Sequence, residues 1–264
     1  MMRQDLHTHT TFCDGANTPE EMVQAALAQG LDCLGFSGHS HTPLDESYCM
    51  SPKGTQDYRR EISRLKALYR DRLTILCGIE QDLSADLPAV DYDYVIGSAH
   101  YLHPKGNWFP VDESREILVR AADRFYGSDI YALTEDYFRT VAQVDQVTHC
   151  DIVGHFDLIC KFNRDGALFD EHHPRYTAAR DRAIQALCSR GALFEINTGA
   201  ISRGYLDLPY PHPELWPAIA AQGGRFVLSS DSHRSDTLCF QFHRWTQELQ
   251  RMGLAACLTT FLPK

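Results

Sequence analysis

Seven short apolar runs, nearly every one ending in a polar residue and separated by stretches of helical period, constrain this chain more than any other feature. The runs are MRQDLH, DCLGFS, LTILCGIE, DYVIGSAH, CDIVGHF, ALFEINT and RFVLSSD, with LAACLTTF as a possible closing strand. They are short and rich in Val, Ile and Leu, as strands buried on both faces are. Between them, amphipathic periodicity predicts helices over 18–29, 56–69, 114–124, 131–147, 175–189, 213–222 and 241–252. The first carries a capping box, Thr18 with Glu21, and Pro19 in its first turn. Strands alternating with helices specify an α/β protein built of βα units. No Pro-, Gly- or Ser-rich linker interrupts the pattern, so residues 1–264 read as a single domain.

His7, His39, Glu80, His100, His155, Asn197 and Asp231 each stand at or just past the C-terminal end of a predicted strand. In a closed barrel those ends converge on one face, where active sites of that architecture lie. An open doubly wound sheet would gather only those near its switch point. Chain order alone leaves both open.

A formal charge of -10 excludes a general nucleic-acid surface, which needs clustered Lys and Arg. Bound cations can nevertheless make a site in an acidic protein attractive to a small anion. No stretch of apolar residues approaches a membrane span, and the N-terminal segment lacks the apolar core of a signal peptide, so a cytoplasmic location is expected. The nine cysteines form no CxxC pair and sit mostly in apolar runs, which fits reduced thiols rather than disulfides. Oligomeric state is not encoded in any recognisable feature.

His7-Thr8-His9 follows the first strand, and residues two apart in an extended segment face the same side. Both imidazoles can therefore reach one cation. The pair is joined along the chain by Asp14, His39, Glu80, His100, His155, Asp231 and His233. Six histidines and three carboxylates suffice for two or three divalent ions, and a mixed nitrogen and oxygen set suits Zn, Mn or Fe better than Mg or Ca. Such ions, close together, acidify water and polarise phosphoryl oxygens. Glu80, Asp231 and His233 are the expected catalytic residues. Asp231, or a water beside it, is the candidate proton donor to the leaving oxygen. Arg203, Lys161 and His41 are candidate contacts to the phosphate, Arg203 because its planar fork matches phosphate oxygens. Asp151 and Asp157 flank His155 and are candidates to orient its ring. Asp112 or Glu113 could face a cationic leaving group. The remaining histidines, at 103, 149, 172, 173, 212 and 243, read as surface or helix-cap residues.

Taken in order, HTHTTFCDG, FSGHS, GIE, GSAHY, VGHFD and SSDSH resemble the PHP superfamily, and most closely its monofunctional histidinol-phosphatase branch. The resemblance implies a distorted (β/α)7 TIM-like barrel with a trinuclear metal centre. It implies one ion on His7, His9, Glu80 and Asp231, with Glu80 bridging to a second on His100 and His155. Asp14, His39 and His233 would hold the third. Hydrolysis of L-histidinol phosphate to L-histidinol and phosphate is the implied reaction. A PHP phosphatase or phosphodiesterase acting on nucleotides or other small esters is the alternative, because one metal centre can serve several substrates. A proofreading module would need a basic groove, and an amidohydrolase a metal-bridging lysine at a strand end; neither is present in the sequence.

Overall fold

The computed structural model describes residues 2–87 and 91–263. Among the described residues the strands are β1 (Gln4–Asp5), β2 (Cys33–Phe36), β3 (Thr74–Asp82), β4 (Tyr94–Ser98), β5 (Tyr101–Leu102), β6 (Phe109–Pro110), β7 (Ile152–Val153), β8 (Leu193–Asn197) and β9 (Arg225–Ser229). Seven of them form one parallel sheet in the order β1-β2-β3-β4-β7-β8-β9, while β5 and β6 pair as a separate antiparallel hairpin. The sheet curls until its first and last strands meet. Thr8 bridges Ser232 in parallel, with Ser232 N–H donating to the His7 carbonyl at 3.0 Å and His9 N–H to the Ser232 carbonyl at 2.8 Å. This is the distorted (β/α)7 barrel.

The barrel interior is filled below the site by Leu6, Leu76, Tyr94, Ile152 and Val227. Tyr94 lies across it and donates to the carbonyls of Leu6 and Phe36. Its ring needs Gly35 and Gly78 on the neighbouring strands, because a Cβ at either would overlap it. Outside the sheet, α1 (Pro19–Ala28) and α2 (Pro52–Tyr69) cover β2 and β3. The larger core lies under α3 (Arg115–Tyr126), α4 (Ile130–Val141), α5 (Val144–Thr148), α6 (Pro174–Ser189), α7 (Gly199–Ser202), α8 (Trp216–Ala221) and α9 (Phe242–Arg251). Tyr137 and Phe138, from the aromatic stretch of α4, are buried there.

Local sequence explains most helix ends. Thr18 and Glu21 form the expected capping box, and Ser51 accepts from the Gly54 N–H to start α2 one turn earlier than periodicity alone indicates. His173 and His212 cap α6 and the turn before α8. Two expectations fail. The helix expected over 131–147 breaks between α4 and α5, where Arg190 donates to the freed Ala142 carbonyl and pairs with Asp145. LAACLTTF adds no eighth strand: Ala255–Cys257 is a 3-10 turn, and only Leu258 bridges Phe226. The barrel seam is already closed above by 7–9 and 230–232, so this segment only packs at its lower end.

Candidate metal centre

All nine expected ligands converge at the C-terminal ends of the barrel strands. His7 and His9 follow β1, His39 follows β2, Glu80 lies within β3, His100 follows β4, His155 follows β7, and Asp231 and His233 follow β9. Asp14 comes from the turn after His9 and reaches the same point. Above them opens a cavity of about 290 Å³, walled by Tyr48, Asp112, Glu113, Lys161, Arg203 and Tyr210 among others.

Glu80 is the centre of the arrangement. One of its oxygens, Oε2, lies 3.3 Å from His7 Nε2, 3.6 Å from His9 Nε2 and 2.9 Å from His39 Nδ1. The other, Oε1, lies 2.9 Å from His155 Nε2 and 3.5 Å from His100 Nε2, and accepts from Ser98 at 2.6 Å. Asp231 Oδ1 stands 3.3 Å from His9 Nε2 and 3.7 Å from His7 Nε2. A third cluster has His39 Nε2 and His233 Nε2 at 3.6 and 3.2 Å from the Asp14 carboxylate.

These spacings fit shared cations. Two ligands bound to one ion at about 2.1 Å in a tetrahedral shell stand about 3.4 Å apart. His7 Nε2, His9 Nε2, Glu80 Oε2 and Asp231 Oδ1 show four such edges, of 3.3, 3.7, 3.6 and 3.3 Å. The buried atoms His7 Nε2, His9 Nε2 and Glu80 Oε2 also lack any hydrogen-bond partner. Buried polar atoms are normally satisfied, so a convergent unsatisfied set is what a cation would complete. Three groups of residues have donor atoms close enough to share an ion: His7, His9 and Glu80; His39, Glu80 and His100; and His9, Asp14, His39 and His233.

Carboxylates behind the ligands aim them. Glu195 Oε2 takes the Nδ1 side of His7 at 2.8 Å, and Asp82 Oδ2 takes the Nδ1 side of His100 at 2.9 Å, which leaves each Nε2 facing the centre. Neither residue is among the expected site residues. Their signal is period-two alternation: Glu80 with Asp82, Ser98 with His100 and Glu195 with Asn197 put polar residues on the inner face of buried strands. Tyr48, whose buried hydroxyl also lacks a partner, comes from an irregular loop with no such signal.

Charge in the cluster is strongly coupled. Burial disfavours ionised Glu80, yet His39, His7 and His100 hold its carboxyl well below the usual range. Burial likewise opposes Asp231, but Arg203 and His7 keep it well below the usual carboxylate range. His100 is pushed up to about 9 by Glu80 and Asp82 against its burial. His9 falls to about 3 because it is buried beside His233 and His39. Asp231 also adopts a left-handed backbone with φ 49°, a conformation that costs a non-glycine residue on the order of 1–3 kcal/mol.

The other expected residues divide. Arg203, at the end of α7, donates to the Asp231 carbonyl at 2.8 Å, to Asp231 Oδ2 at 2.9 Å and to His233 Nδ1 at 2.9 Å. Lys161 borders the cavity but is tied to Asp112, at 2.8 Å to its carbonyl and 3.1 Å to its carboxylate. His41 is not brought in. It lies off the cavity wall, 3.4 Å from the exposed Glu46, because the chain leaves the sheet after Ser40 and strict alternation ends there. Asp151 and Asp157 do not orient the His155 ring either: Asp151 accepts from Val95 N–H, and Asp157 from His212 N–H. The His155 contact of this kind is through its backbone N–H, which donates to Glu195 Oε1 at 2.7 Å.

Comparison with known proteins agrees with this fold. The PHP domain matches residues 5–199. A probable histidinol-phosphatase of Schizosaccharomyces pombe is 30% identical over 274 residues, covering 95% of this chain and 87% of its own length. One from Deinococcus radiodurans is 31% identical over 260 residues, covering 94% and 93%. The crystal structure of histidinol phosphate phosphatase from Lactococcus lactis, complexed with zinc, L-histidinol and phosphate, has the same fold. It matches with a TM-score of 0.70 at 21% identity, over 95% of this chain and 94% of that one. No helix among the described residues is long and apolar enough to cross a membrane. Barrel, ordered motifs and relatives matching along nearly the whole length agree, and the chain belongs to the PHP domain family, in its histidinol-phosphatase branch.

Proposed function

We propose that this chain is a metal-dependent phosphatase that hydrolyses L-histidinol phosphate to L-histidinol and phosphate. The reading is carried by the four donor atoms of His7, His9, Glu80 and Asp231, spaced as ligands of one ion at the floor of an open cavity. The relatives named histidinol-phosphatase support the choice of ester.

Two or three ions of Zn, Mn or Fe are assigned to the centre, with Glu80 shared between the group at His7, His9 and Asp231 and the group at His100 and His155. Asp14, His39 and His233 make the third. Divalent ions there would supply an acidified water and Lewis-acid polarisation of the phosphoryl oxygens. The protein's own residues do the rest. Arg203 borders the cavity with its guanidinium anchored on Asp231 and His233, so its outward face is held in place for phosphate oxygens as charge spreads over them. Lys161 also borders the cavity, its ammonium paired with Asp112. Asp231 is a poor proton donor at neutral pH because its carboxyl is held ionised by Arg203 and His7. Its role is to anchor, and the leaving oxygen takes its proton from cavity water. Asp45 and Glu113 make the mouth acidic, which suits a leaving group that carries an ammonium.

The test is a side-by-side assay of L-histidinol phosphate, p-nitrophenyl phosphate, a mononucleotide and a sugar phosphate. Nitrophenolate is the better leaving group, so a kcat/KM for histidinol phosphate at least about a hundredfold higher requires about 2.7 kcal/mol from contacts to the amine and imidazole. A nucleotide or sugar phosphate that outruns histidinol phosphate overturns the substrate and leaves the phosphatase chemistry intact.

A further inference from the structure

Beside the metal cavity lies a second one, of about 450 Å³, and Tyr210 borders both. Two of its wall residues are nearly fully buried, at 2% exposure each, and carry polar atoms with no partner: Asp157 Oδ1 and the Tyr210 hydroxyl. The other Asp157 oxygen accepts from the His212 N–H at 2.8 Å, so the carboxylate is held in place with one oxygen unmet. Glu171 adds a second carboxylate, itself held by Asn163 at 2.8 Å. Of the two guanidinium groups on this wall, Arg164 pairs with Asp207 on the same wall and Arg180 with Asp181. The wall also carries Asp165, Asp170, Asp207 and Glu214, so its carboxylates outnumber its two guanidinium groups and the cavity is negative whichever form Asp157 takes.

We propose that this second cavity binds a small organic cation bearing an aromatic ring, its ammonium facing Asp157 and Glu171 and its ring against Leu206, Leu208 and Tyr210. A buried carboxylate oxygen without a donor disfavours an anion, and a neutral apolar ligand would leave it unmet. A divalent ion is also disfavoured, since among the described residues the sets of donors close enough to share one all lie in the first cavity. What remains is a ligand that brings hydrogen-bond donors and positive charge on one end and a flat apolar surface on the other. Apolar wall residues such as Leu206, Leu208 and Leu215 suit that second end. The size lies within the ordinary range for a small-molecule pocket of about 300–1,000 Å³. The assignment is independent of which ester the metal cavity hydrolyses.

The probe is 2-phenylethylamine, whose ring has no metal-ligating nitrogen, titrated calorimetrically into the metal-loaded protein with saturating inorganic phosphate present. Saturable one-to-one binding is expected, weakened at least about tenfold by Asp157→Asn and by Glu171→Gln, with phosphate making no difference. Asparagine keeps an acceptor for the His212 N–H, and Glu171→Gln carries the test if Asp157→Asn does not fold. Absence of saturable binding, binding undiminished in the variants, or displacement of the amine by phosphate would each overturn the proposal.

Discussion

Glu195 grips two metal-site histidines at once, taking His7 through its ring Nδ1 at 2.8 Å and His155 through its backbone N–H at 2.7 Å. Both carboxylate oxygens are used, and Asn197 donates to the second at 2.8 Å. Glutamine in its place offers one oxygen and one NH2 where donors already face both positions. Glu195→Gln should therefore weaken metal binding by about 10- to 100-fold while the barrel stays folded. Competition against a chelator of known affinity reads this directly, and retention of parental affinity would show that the carboxylate is a packing residue.

Removing an anionic ligand should do more. Glu80→Gln and Asp231→Asn are each expected to lower turnover by at least about a hundredfold, because Glu80 is placed between two ion groups and Asp231 completes one of them. Steady-state kinetics beside elemental analysis checks this. Near-normal turnover with metal retained would remove that residue from the catalytic set.

Arg203→Ala should cost about 1.5–3 kcal/mol in kcat/KM on phosphate esters, the size of a lost charge-assisted hydrogen bond. The contacts to Asp231 and His233 add a consequence that the sequence does not show: metal content should fall as well. Arg203→Lys should restore little, since a single ammonium cannot span three acceptors in a fixed plane. Lysine kinetics matching the parent would reduce Arg203 to a point charge.

Loading the site should expel protons. Glu80 and Asp82 push His100 up to about 9, and His7 and His39 are raised well above their ordinary value by neighbouring carboxylates, each against its burial. At neutral pH the metal-free rings carry protons that a cation must displace, so apparent affinity should rise with pH through about 9, where His100 gives up its proton. The stability of the metal-free protein has the opposite slope. A raised folded-state value contributes stability that is complete below about 6.5, the unfolded value, and is lost as pH rises through about 9. Calorimetric metal titrations in two buffers of different ionisation enthalpy measure the released protons. Equal heats in both buffers would contradict this account.

Much of this was readable along the chain, for identifiable reasons. Parallel strands buried on both faces appear as continuous apolar runs, so the seven barrel strands stand out, and a histidine or carboxylate at the end of such a run has little structural reason to be there. Glu195 and Asp82 escape notice because they lie within strands, where only alternation marks them. His41 illustrates the converse: two residues apart means the same face only while the backbone stays extended. The break after Ala142 depends on Arg190, 48 positions away, which no local pattern contains.

Closure of the barrel by Thr8 and Ser232, with Ser230 bound to Asp5 across 225 positions, joins segments far apart in sequence at the centre itself. An ion shared by His7 and Asp231 is then a clasp on a very long loop, and the entropy lost in closing such a loop grows only with the logarithm of its length. A nascent chain has three of the four donors His7, His9, Glu80 and Asp231 until β9 and the residues after it are made. Metal capture is thereby tied to completion of the fold, and a protein cut short before Asp231 would carry histidines but no finished centre.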